Sequence, residues 1–213
     1  MRIAVVGTGG IGSALAALFS RHGHGVILGS RSPRRAGALA KAIGASGVSG
    51  YEAAAKAADL VCFCVPWEHS AETIALLGDL SGKILLDPSN PEAADGRSLA
   101  VGHSISGAEI LAEGAKGARV VKAFNYLYAE LLRDPETLER IAPSIFLCGD
   151  DEAARASVSE LVTSCGLTPV DCGGLKQARH LEPLAMLMVQ LVRERGWPPG
   201  AAAMRFIHVR PNA

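Results

Sequence analysis

The chain opens with a pattern that few folds accommodate: a short apolar stretch, glycines at fixed spacing, and then an apolar stretch with helical periodicity. Residues 2–6 lead into Gly7-Thr8-Gly9-Gly10-Ile11-Gly12, and residues 13–19 follow. This order predicts a strand, a tight turn and a helix. In a G-x-G-x-x-G turn the first glycine serves the bend, the second lets the backbone approach a pyrophosphate, and the third lets the helix pack closely on the strand.

The glycine turn is followed by a second apolar stretch, residues 26–28, at the distance expected for the next strand. We therefore predict that the turn binds a dinucleotide, with its phosphates on the free N–H groups at the start of the helix. The predicted cofactor-binding residues of this turn are Gly7, Thr8, Gly9, Gly10, Ile11 and Gly12.

Short apolar stretches and helical stretches alternate along the rest of the chain. Further strands are predicted near Val48 and at 60–65, 83–86, 119–124, 145–148 and 168–171, with helices at 33–43, 51–58, 68–77, 107–115 and about 151–164. Such alternation indicates β-α-β units. The predicted fold class is α/β, a doubly wound and mostly parallel sheet of the Rossmann type with a small C-terminal helical extension.

The pattern changes near residue 174, where one long helical stretch begins. Its apolar residues recur at three- and four-residue spacing: Leu181, Leu184, Ala185, Met188, Leu191 and Val192. Pro183 predicts either a kink or a helix start close to it. We divide the chain into a cofactor-binding domain, 1–173, and a helical extension, 174–213. The apolar face of the extension packs on the chain's own sheet, on a second subunit, or over a ligand cleft.

Composition excludes several classes of function. The 213 residues carry no net charge at pH 7, so nothing favours nucleic acid or an anionic membrane as a partner. No apolar run reaches the ~18 residues of a membrane span, and no signal peptide is apparent, so we expect a cytoplasmic protein. The cysteines lack the C-x-x-C spacing, which argues against a metal site or a disulfide framework. Cys62 and Cys64 share a strand face and are interpreted as small buried apolar residues rather than a redox pair.

The residues that follow the second predicted strand indicate which dinucleotide binds, NAD or NADP. An NAD-specific fold places Asp or Glu there to bind the ribose, whereas a 2′-phosphate calls for arginine. This chain has Ser30, Arg31, Ser32, Pro33, Arg34 and Arg35 and no acid. Ser32 and Pro33 predict an N-cap and a first helical residue. We predict NADP, bound by Ser30, Arg31, Arg34 and Arg35; the alternative is a solvated basic loop.

Further motifs resemble the family of NADP oxidoreductases dependent on coenzyme F420, over nearly the whole length. The likeness rests on the glycine turn, on Gly29-Ser30-Arg31, on Val65-Pro66-Trp67-Glu68-His69, on Cys148-Gly149-Asp150-Asp151, and on Ala178-Arg179-His180-Leu181-Glu182-Pro183-Leu184. The resemblance implies that Thr8, Ser30, Arg31 and Arg35 hold NADP and that Val65, Pro66 and Trp67 lie near it. Trp67 and His69 also fit a packed aromatic residue and a polar residue at a helix start.

One segment departs from the established deazaflavin reductases of that family. Residues 120–125 read Val-Val-Lys-Ala-Phe-Asn, which resembles the cytosolic domains of ferric reductases. The resemblance therefore implies NADP but leaves the second redox partner open. Lys122 and Asn125 fall at a strand's carboxyl end, where open α/β sheets bind ligands, so both are candidate substrate contacts. A surface cation and a loop cap are the alternatives.

These observations favour an NADP-dependent oxidoreductase whose small-molecule redox partner is coenzyme F420 or a flavin. Hydride would pass directly between two rings, and the protein would position them. A reductase of a small carbonyl or imine substrate is a second interpretation; it needs a general acid, for which Lys122, His69 and Tyr126 are candidates. A third is a non-catalytic NADPH-binding sensor. The resemblance and the apolar extension also predict a homodimer.

Overall fold

The computed structural model describes residues 1–209, apart from the side chain of Arg35. Its strands are β1 (Arg2–Val6), β2 (Gly25–Gly29), β3 (Gly47–Ser49), β4 (Leu60–Phe63), β5 (Ile84–Asp87), β6 (Arg119–Ala123), β7 (Ser144–Cys148) and β8 (Thr168–Asp171). Its α-helices are α1 (Gly10–Arg21), α2 (Pro33–Ile43), α3 (Tyr51–Ala57), α4 (Ser70–Ala75), α5 (Gly107–Gly114), α6 (Ala129–Leu132), α7 (Pro135–Ile141), α8 (Glu152–Ser164) and α9 (Ala178–Glu194). Single 3₁₀ turns occupy Trp67–His69 and Leu175–Gln177.

The strands form one sheet in the order β3-β2-β1-β4-β5-β6-β7-β8. The first six in this order are parallel, β7 runs antiparallel to β6, and β8 is parallel to β7. The order reverses at β1, because β2 and β3 lie on one side and β4 lies on the other. Ligands of open α/β sheets bind in the crevice at such a point. The predicted fold class is confirmed.

The side chains of β1 point alternately to the two faces of the sheet, and helices cover both faces. Ile3 and Val5 pack in the core beneath α1 and α8, whereas Ala4 and Val6 pack in the core beneath α3 and α5. Successive strand residues point to opposite faces, and a parallel sheet covered on both faces needs apolar residues at every position. The sequence Ile-Ala-Val-Val in β1 meets that requirement.

Several boundaries differ from the sequence predictions. β4 ends at Phe63 rather than at residue 65, and the helix predicted at 68–77 is a 3₁₀ turn followed by α4. Ser32 precedes α2, but its side chain caps nothing; instead Ser30 Oγ accepts a hydrogen bond from Ser32 N at 3.1 Å. The helices α6 and α7 were not predicted. α6 has only four residues, too few to show a periodicity. Asp134-Pro135 was the available signal for α7, since the Asp134 carboxylate accepts from Thr137 N.

The C-terminal helix packs on the chain's own fold. α9 buries Leu181, Ala185, Met188 and Val192 against it, while Pro183 stands inside the helix, five residues after its start. Arg179 reaches Glu109 on α5 with two hydrogen bonds of 2.7 and 2.8 Å. The last four residues of the predicted extension lie outside the described part of the chain.

Candidate functional site

The turn after β1 has the geometry that a bound pyrophosphate requires. Gly7 has φ +97°, and a Cβ there would overlap the backbone carbonyl of Cys64. A Cβ on Gly12 would overlap the carbonyl of Gly7, so no side chain fits at this crossing of helix and strand. Gly9, by contrast, faces open space with no atom within 4 Å of a Cβ position. The cradle therefore admits a phosphate at Gly9 and the N–H groups that begin α1.

A cleft of about 1250 Å³ opens above this turn at the carboxyl ends of the strands. Its walls include all six residues of the glycine turn, together with Ser30 and Arg31 from the end of β2. Val65, Pro66, Trp67 and His69 line the part above β4, and Asn125 lines the part above β6. Most of the residues that we predicted for the site are thus brought to one cleft, although they come from four separate segments.

The predicted basic residues differ in their placement. Arg31 is exposed and lines the cleft beside Ser30. Because Ser30 Oγ already accepts from Ser32 N, its hydroxyl hydrogen is left to donate to an anion. Arg34 is exposed on the first turn of α2 but is not among the cleft residues. The prediction for Arg35 lies outside the described side chains.

The two neighbouring thiols lie where β4 meets the cleft. Cys62 is buried and Cys64 is half-buried, with 3.5 Å between the sulfur atoms and no disulfide. Burial, together with the hydrogen bond to Cys64, raises the pKa of Cys62 well above its usual value. Thiolates are the reactive form of cysteine, so Cys62 behaves as a small core residue, whereas Cys64 lines the cleft.

Lys122 lies beneath the cleft rather than in it. Its side chain has no exposed surface, so the alternative of a surface cation was wrong. Nζ donates to Asp87 Oδ2 at 2.8 Å and to the Ser89 carbonyl at 2.7 Å, and Glu182 Oε1 is 3.2 Å away. Burial alone would lower the pKa of Lys122, but the charges of Asp87 and Glu182 outweigh it and raise the pKa. The ammonium group of Lys122 is therefore held in its charged form, and the groups that bind it all belong to this chain.

Asn125 is held in one orientation at the cleft wall. Its Nδ2 donates to Asn90 Oδ1 and to the Leu181 carbonyl, both at 2.9 Å, and Asn90 Nδ2 donates back to its carbonyl at 2.7 Å. The preceding residue, Phe124, has φ +66°, a conformation that costs a non-glycine residue about 1–2 kcal/mol. This turn directs the chain from the end of β6 back toward the loop after β5.

The cleft continues past Asn125 toward α6 and α9. Tyr126 is not available there, because its hydroxyl donates to the Ser144 carbonyl and accepts from Phe146 N. Tyr128 is half-buried; burial raises its pKa, the charge of Arg193 opposes the rise, and those of Glu130 and Glu92 add to it. A second hollow of about 410 Å³ adjoins at this point, and Glu92, Gly96, Tyr128 and Val189 line both spaces.

Sequence reasoning did not assign several cleft residues to the site. Asn90 and Glu92 belong to the loop after β5, and the carboxyl end of a parallel strand was the signal that could have identified them. Ala185 and Val189 of α9 also line the cleft. No local pattern marks them, because their position depends on how α9 packs.

Residues 1–209 contain neither a cluster of metal-ligating side chains nor a helix suited to span a membrane. No group of three His, Cys, Asp or Glu side chains there could hold a metal ion. No helix in that part of the chain is both long and apolar enough to cross a membrane.

The fold and the cleft define a dinucleotide-binding protein of the Rossmann class, and comparison with known proteins identifies its family. Residues 2–91 match the model of the family described as NADP oxidoreductase coenzyme F420-dependent. The F420-dependent NADP reductase of Methanocaldococcus jannaschii is 31% identical over 208 residues, which cover 90% of this chain and 92% of that protein. The chain belongs to this family of oxidoreductases.

Two further similarities bear on the whole chain. A crystal structure of a putative F420-dependent NADP reductase from Arthrobacter sp. FB24 superposes with a TM-score of 0.87 at 27% identity, covering 98% of this chain and 100% of that one. The metalloreductase STEAP3 of Rattus norvegicus is 32% identical over 189 residues. Those residues are 88% of this chain but only 37% of the metalloreductase, so the chain spans little more than a third of that relative.

Proposed function

We propose that the enzyme transfers hydride between NADP(H), held by the glycine turn with Ser30 and Arg31, and a flavin or the deazaflavin coenzyme F420. The observation that carries the proposal is the cleft, which joins a phosphate cradle to a further space above β5 and β6, where Lys122 and the Tyr126 hydroxyl are already engaged by other groups of the chain. When bound, the nicotinamide supplies the hydride and the acceptor ring receives it.

The chain's own residues bind and orient in this scheme. The N–H groups at the start of α1 hold the pyrophosphate, and Arg31 pairs with the 2′-phosphate through its planar guanidinium. Val65, Pro66 and Trp67 form an apolar wall that excludes water from the transfer. Asn125, fixed by Asn90 and Leu181, forms the opposite wall.

The placement of the three candidate acids favours ring-to-ring transfer over carbonyl or imine reduction. Lys122 is enclosed by its three partners, and the Tyr126 hydroxyl is engaged by backbone groups. Tyr126 and His69 both line the cleft, and His69 lies at its half-exposed rim, with Nε2 3.7 Å from Glu68 Oε1. A hydride acceptor that takes its proton from water needs none of them.

The experiment is to mix the enzyme with NADPH and then, separately, with coenzyme F420, FMN, FAD and riboflavin, following the absorbance of NADPH and of each acceptor. Loss of both absorbances with at least one acceptor supports the proposal. NADPH that binds but is oxidised by none of them, while a small ketone or imine is reduced, would contradict it. NADPH binding with no turnover of any compound would point to a sensor.

We also propose that the enzyme is a homodimer. Leu187 and Leu191 of α9 are 61% and 37% exposed, on the side of the helix away from Ala185 and Met188. An apolar strip of this kind favours a second copy of the chain. Light scattering is expected to give twice the mass of the chain, and Leu187→Glu is expected to halve it; a monomeric wild-type enzyme would refute the dimer.

A further inference from the structure

The five cysteines of the chain differ in how far solvent reaches them. Cys62, Cys148 and Cys165 are buried, whereas Cys64 and Cys172 are half-buried. Of these two, Cys64 belongs to the walls of the cleft, and Cys172 follows β8 at the other side of the sheet. A reagent that enters the cleft therefore meets the thiol of Cys64.

Cys64 lies directly against the glycine turn. A Cβ on Gly7 would overlap the carbonyl group of Cys64, and a Cβ on Gly12 would lie 3.0 Å from the Cβ of Cys64. The backbone N–H of Cys64 also donates to the Val6 carbonyl, at the end of β1, at 2.8 Å. Because these groups are closely packed, Cys64 cannot shift without moving the turn that forms the phosphate cradle.

Cys62 places a second sulfur atom beside Cys64 on the core side. The two Sγ atoms are 3.5 Å apart, and both thiols are free. Cys62 has no exposed surface, and burial raises the pKa of its thiol well above the usual value, so a reagent in solution attacks Cys64 first. An accessible thiol with a second thiol next to it is the arrangement in which a sulfenic acid condenses to a disulfide.

A disulfide between these two residues would pull Cys64 toward the core. Cα atoms two residues apart in an extended strand are ~6.6 Å apart, whereas disulfides usually hold them at about 5.5–6 Å. Cys62 is fixed in the sheet, because β4 pairs with both β1 and β5 at this position. Cys64 follows the last residue of β4, so it is the residue that moves, and the glycine turn packed on it loses the shape that binds a pyrophosphate.

We propose that Cys64 is a site of oxidation by peroxides that controls NADP(H) binding, with Cys62 as the second thiol. Hydrogen peroxide takes two electrons from the Cys64 thiol: one oxygen atom becomes the hydroxyl of a sulfenic acid, and the other leaves as water with the thiol proton. The sulfur of Cys62 then bonds to that of Cys64, and its proton leaves with the sulfenic hydroxyl as a second water. A dithiol reduces the bridge back to two thiols and is itself oxidised to a disulfide. The inference rests on the part of the proposed function that places NADP(H) at the glycine turn, and it is independent of the hydride acceptor.

The test compares each enzyme with itself before and after oxidation. Calorimetric titration measures NADPH affinity for the reduced enzyme, for enzyme treated with hydrogen peroxide and desalted, and for treated enzyme after dithiothreitol. The wild type is expected to lose roughly ten-fold or more in affinity on oxidation and to regain it with dithiothreitol. Trypsin cuts after Lys56 and Lys83, so one peptide carries both thiols, and the bridge lowers the mass of that peptide by two hydrogen atoms.

Three variants separate the roles of the thiols. Cys64→Ala should have the same NADPH affinity before and after peroxide, because the atom that is oxidised is gone. Cys62→Ala leaves the sulfenic acid of Cys64 without a partner, so oxidation continues to the sulfinic acid and dithiothreitol no longer restores binding. Cys172→Ala is the matched control, since Cys172 is half-buried like Cys64, and it should respond as the wild type does. NADP⁺ bound beforehand should protect Cys64, and not Cys172, from N-ethylmaleimide.

Three outcomes overturn the inference. The first is a wild-type enzyme whose peptide shows no bridge after peroxide, the second is a bridged enzyme that binds NADPH as tightly as the reduced one, and the third is a loss of affinity that persists in Cys64→Ala. The first two are read on the wild type and do not depend on how a variant folds. In each case NADPH binding by the reduced enzyme leaves the proposed function standing. If the reduced wild type binds no NADPH, both the inference and the proposed function fail.

Discussion

The carboxylate of Glu182 lies 3.2 Å from the ammonium group of Lys122, and neither side chain has any exposed surface. Glu182 also accepts hydrogen bonds from the backbone N–H groups of Gly107 and Ala108 at 2.9 and 3.0 Å. One carboxylate thus joins α9, the start of α5 and β6. An anion at a helix N-terminus complements the helix dipole, so this contact holds the C-terminal helix beside the wall that contains Asn125.

Replacing Lys122 by methionine is expected to lower the free energy of unfolding by about 3–5 kcal/mol, because it leaves two buried carboxylates without a cation. Urea denaturation followed by circular dichroism measures the change. Lys41→Met, on the exposed face of α2, is the control and should change stability by less than about 0.5 kcal/mol. Adding Glu182→Gln to Lys122→Met should recover part of the loss; a single variant as stable as the control would contradict the role of the cluster.

The ion pair of Glu109 and Arg179 is expected to make the free energy of unfolding depend on pH. The hydrogen bonds from Arg179 lower the pKa of Glu109 from 4.5 to about 2. A lowered pKa stabilises the fold above the pKa of the unfolded chain, and this contribution is lost as pH falls from about 4.5 to about 2. It amounts to at most about 3 kcal/mol at neutral pH.

Denaturation at a series of pH values tests this dependence. Glu109→Gln should flatten the fall in stability between about pH 4.5 and pH 2, whereas Glu113→Gln, exposed on the same helix, should leave it in place. If the free energy of unfolding varies with pH in the same way for Glu109→Gln and the wild type, the ion pair does not contribute to the pH dependence of stability.

Substitutions at Gly9 and Gly12 are expected to separate binding from folding. A side chain at Gly9 meets no protein atom within 4 Å but projects into the phosphate cradle. Gly9→Val should therefore fold normally and lose roughly ten-fold or more in NADPH affinity. Gly12→Ala should instead destabilise the fold by about 1–3 kcal/mol, since its Cβ overlaps the Gly7 carbonyl.

Calorimetric titration with NADPH and thermal unfolding distinguish the two glycine variants. Normal NADPH affinity in a folded Gly9→Val enzyme would mean that the pyrophosphate lies elsewhere. That result would remove the basis of the proposed cofactor site.

Arg31 is expected to determine the preference for NADPH over NADH. A hydrogen bond to a charged group contributes about 1.5–3 kcal/mol, so Arg31→Ala should reduce the ratio of NADPH to NADH affinity by roughly ten-fold or more. Arg21→Ala, at the opposite end of α1 from the cradle, serves as the control. If Arg31→Ala keeps the preference for NADPH, Arg34 and Arg35 become the residues to test.

The sequence by itself determined the first half of the fold and the part of the cleft that the glycine turn and Arg31 form. The strand, glycine turn and helix are local, and the arginine that follows β2 is reached within 25 residues, so spacing and turn chemistry suffice to predict them. Strands buried on both faces are apolar throughout, which made β1, β4 and β5 recognisable without any knowledge of their partners.

Only the tertiary structure decided the burial of Lys122 and the shape of the cleft beyond Asn125. The sequence placed Lys122 correctly at the end of β6, but its burial depends on Glu182, a residue 60 positions later on α9. The antiparallel direction of β7 and the position of Ala185 and Val189 above the cleft likewise follow from how distant elements pack. A local sequence pattern indicates which face of a helix or strand is apolar. It does not indicate which of several apolar surfaces in the folded chain that face packs against.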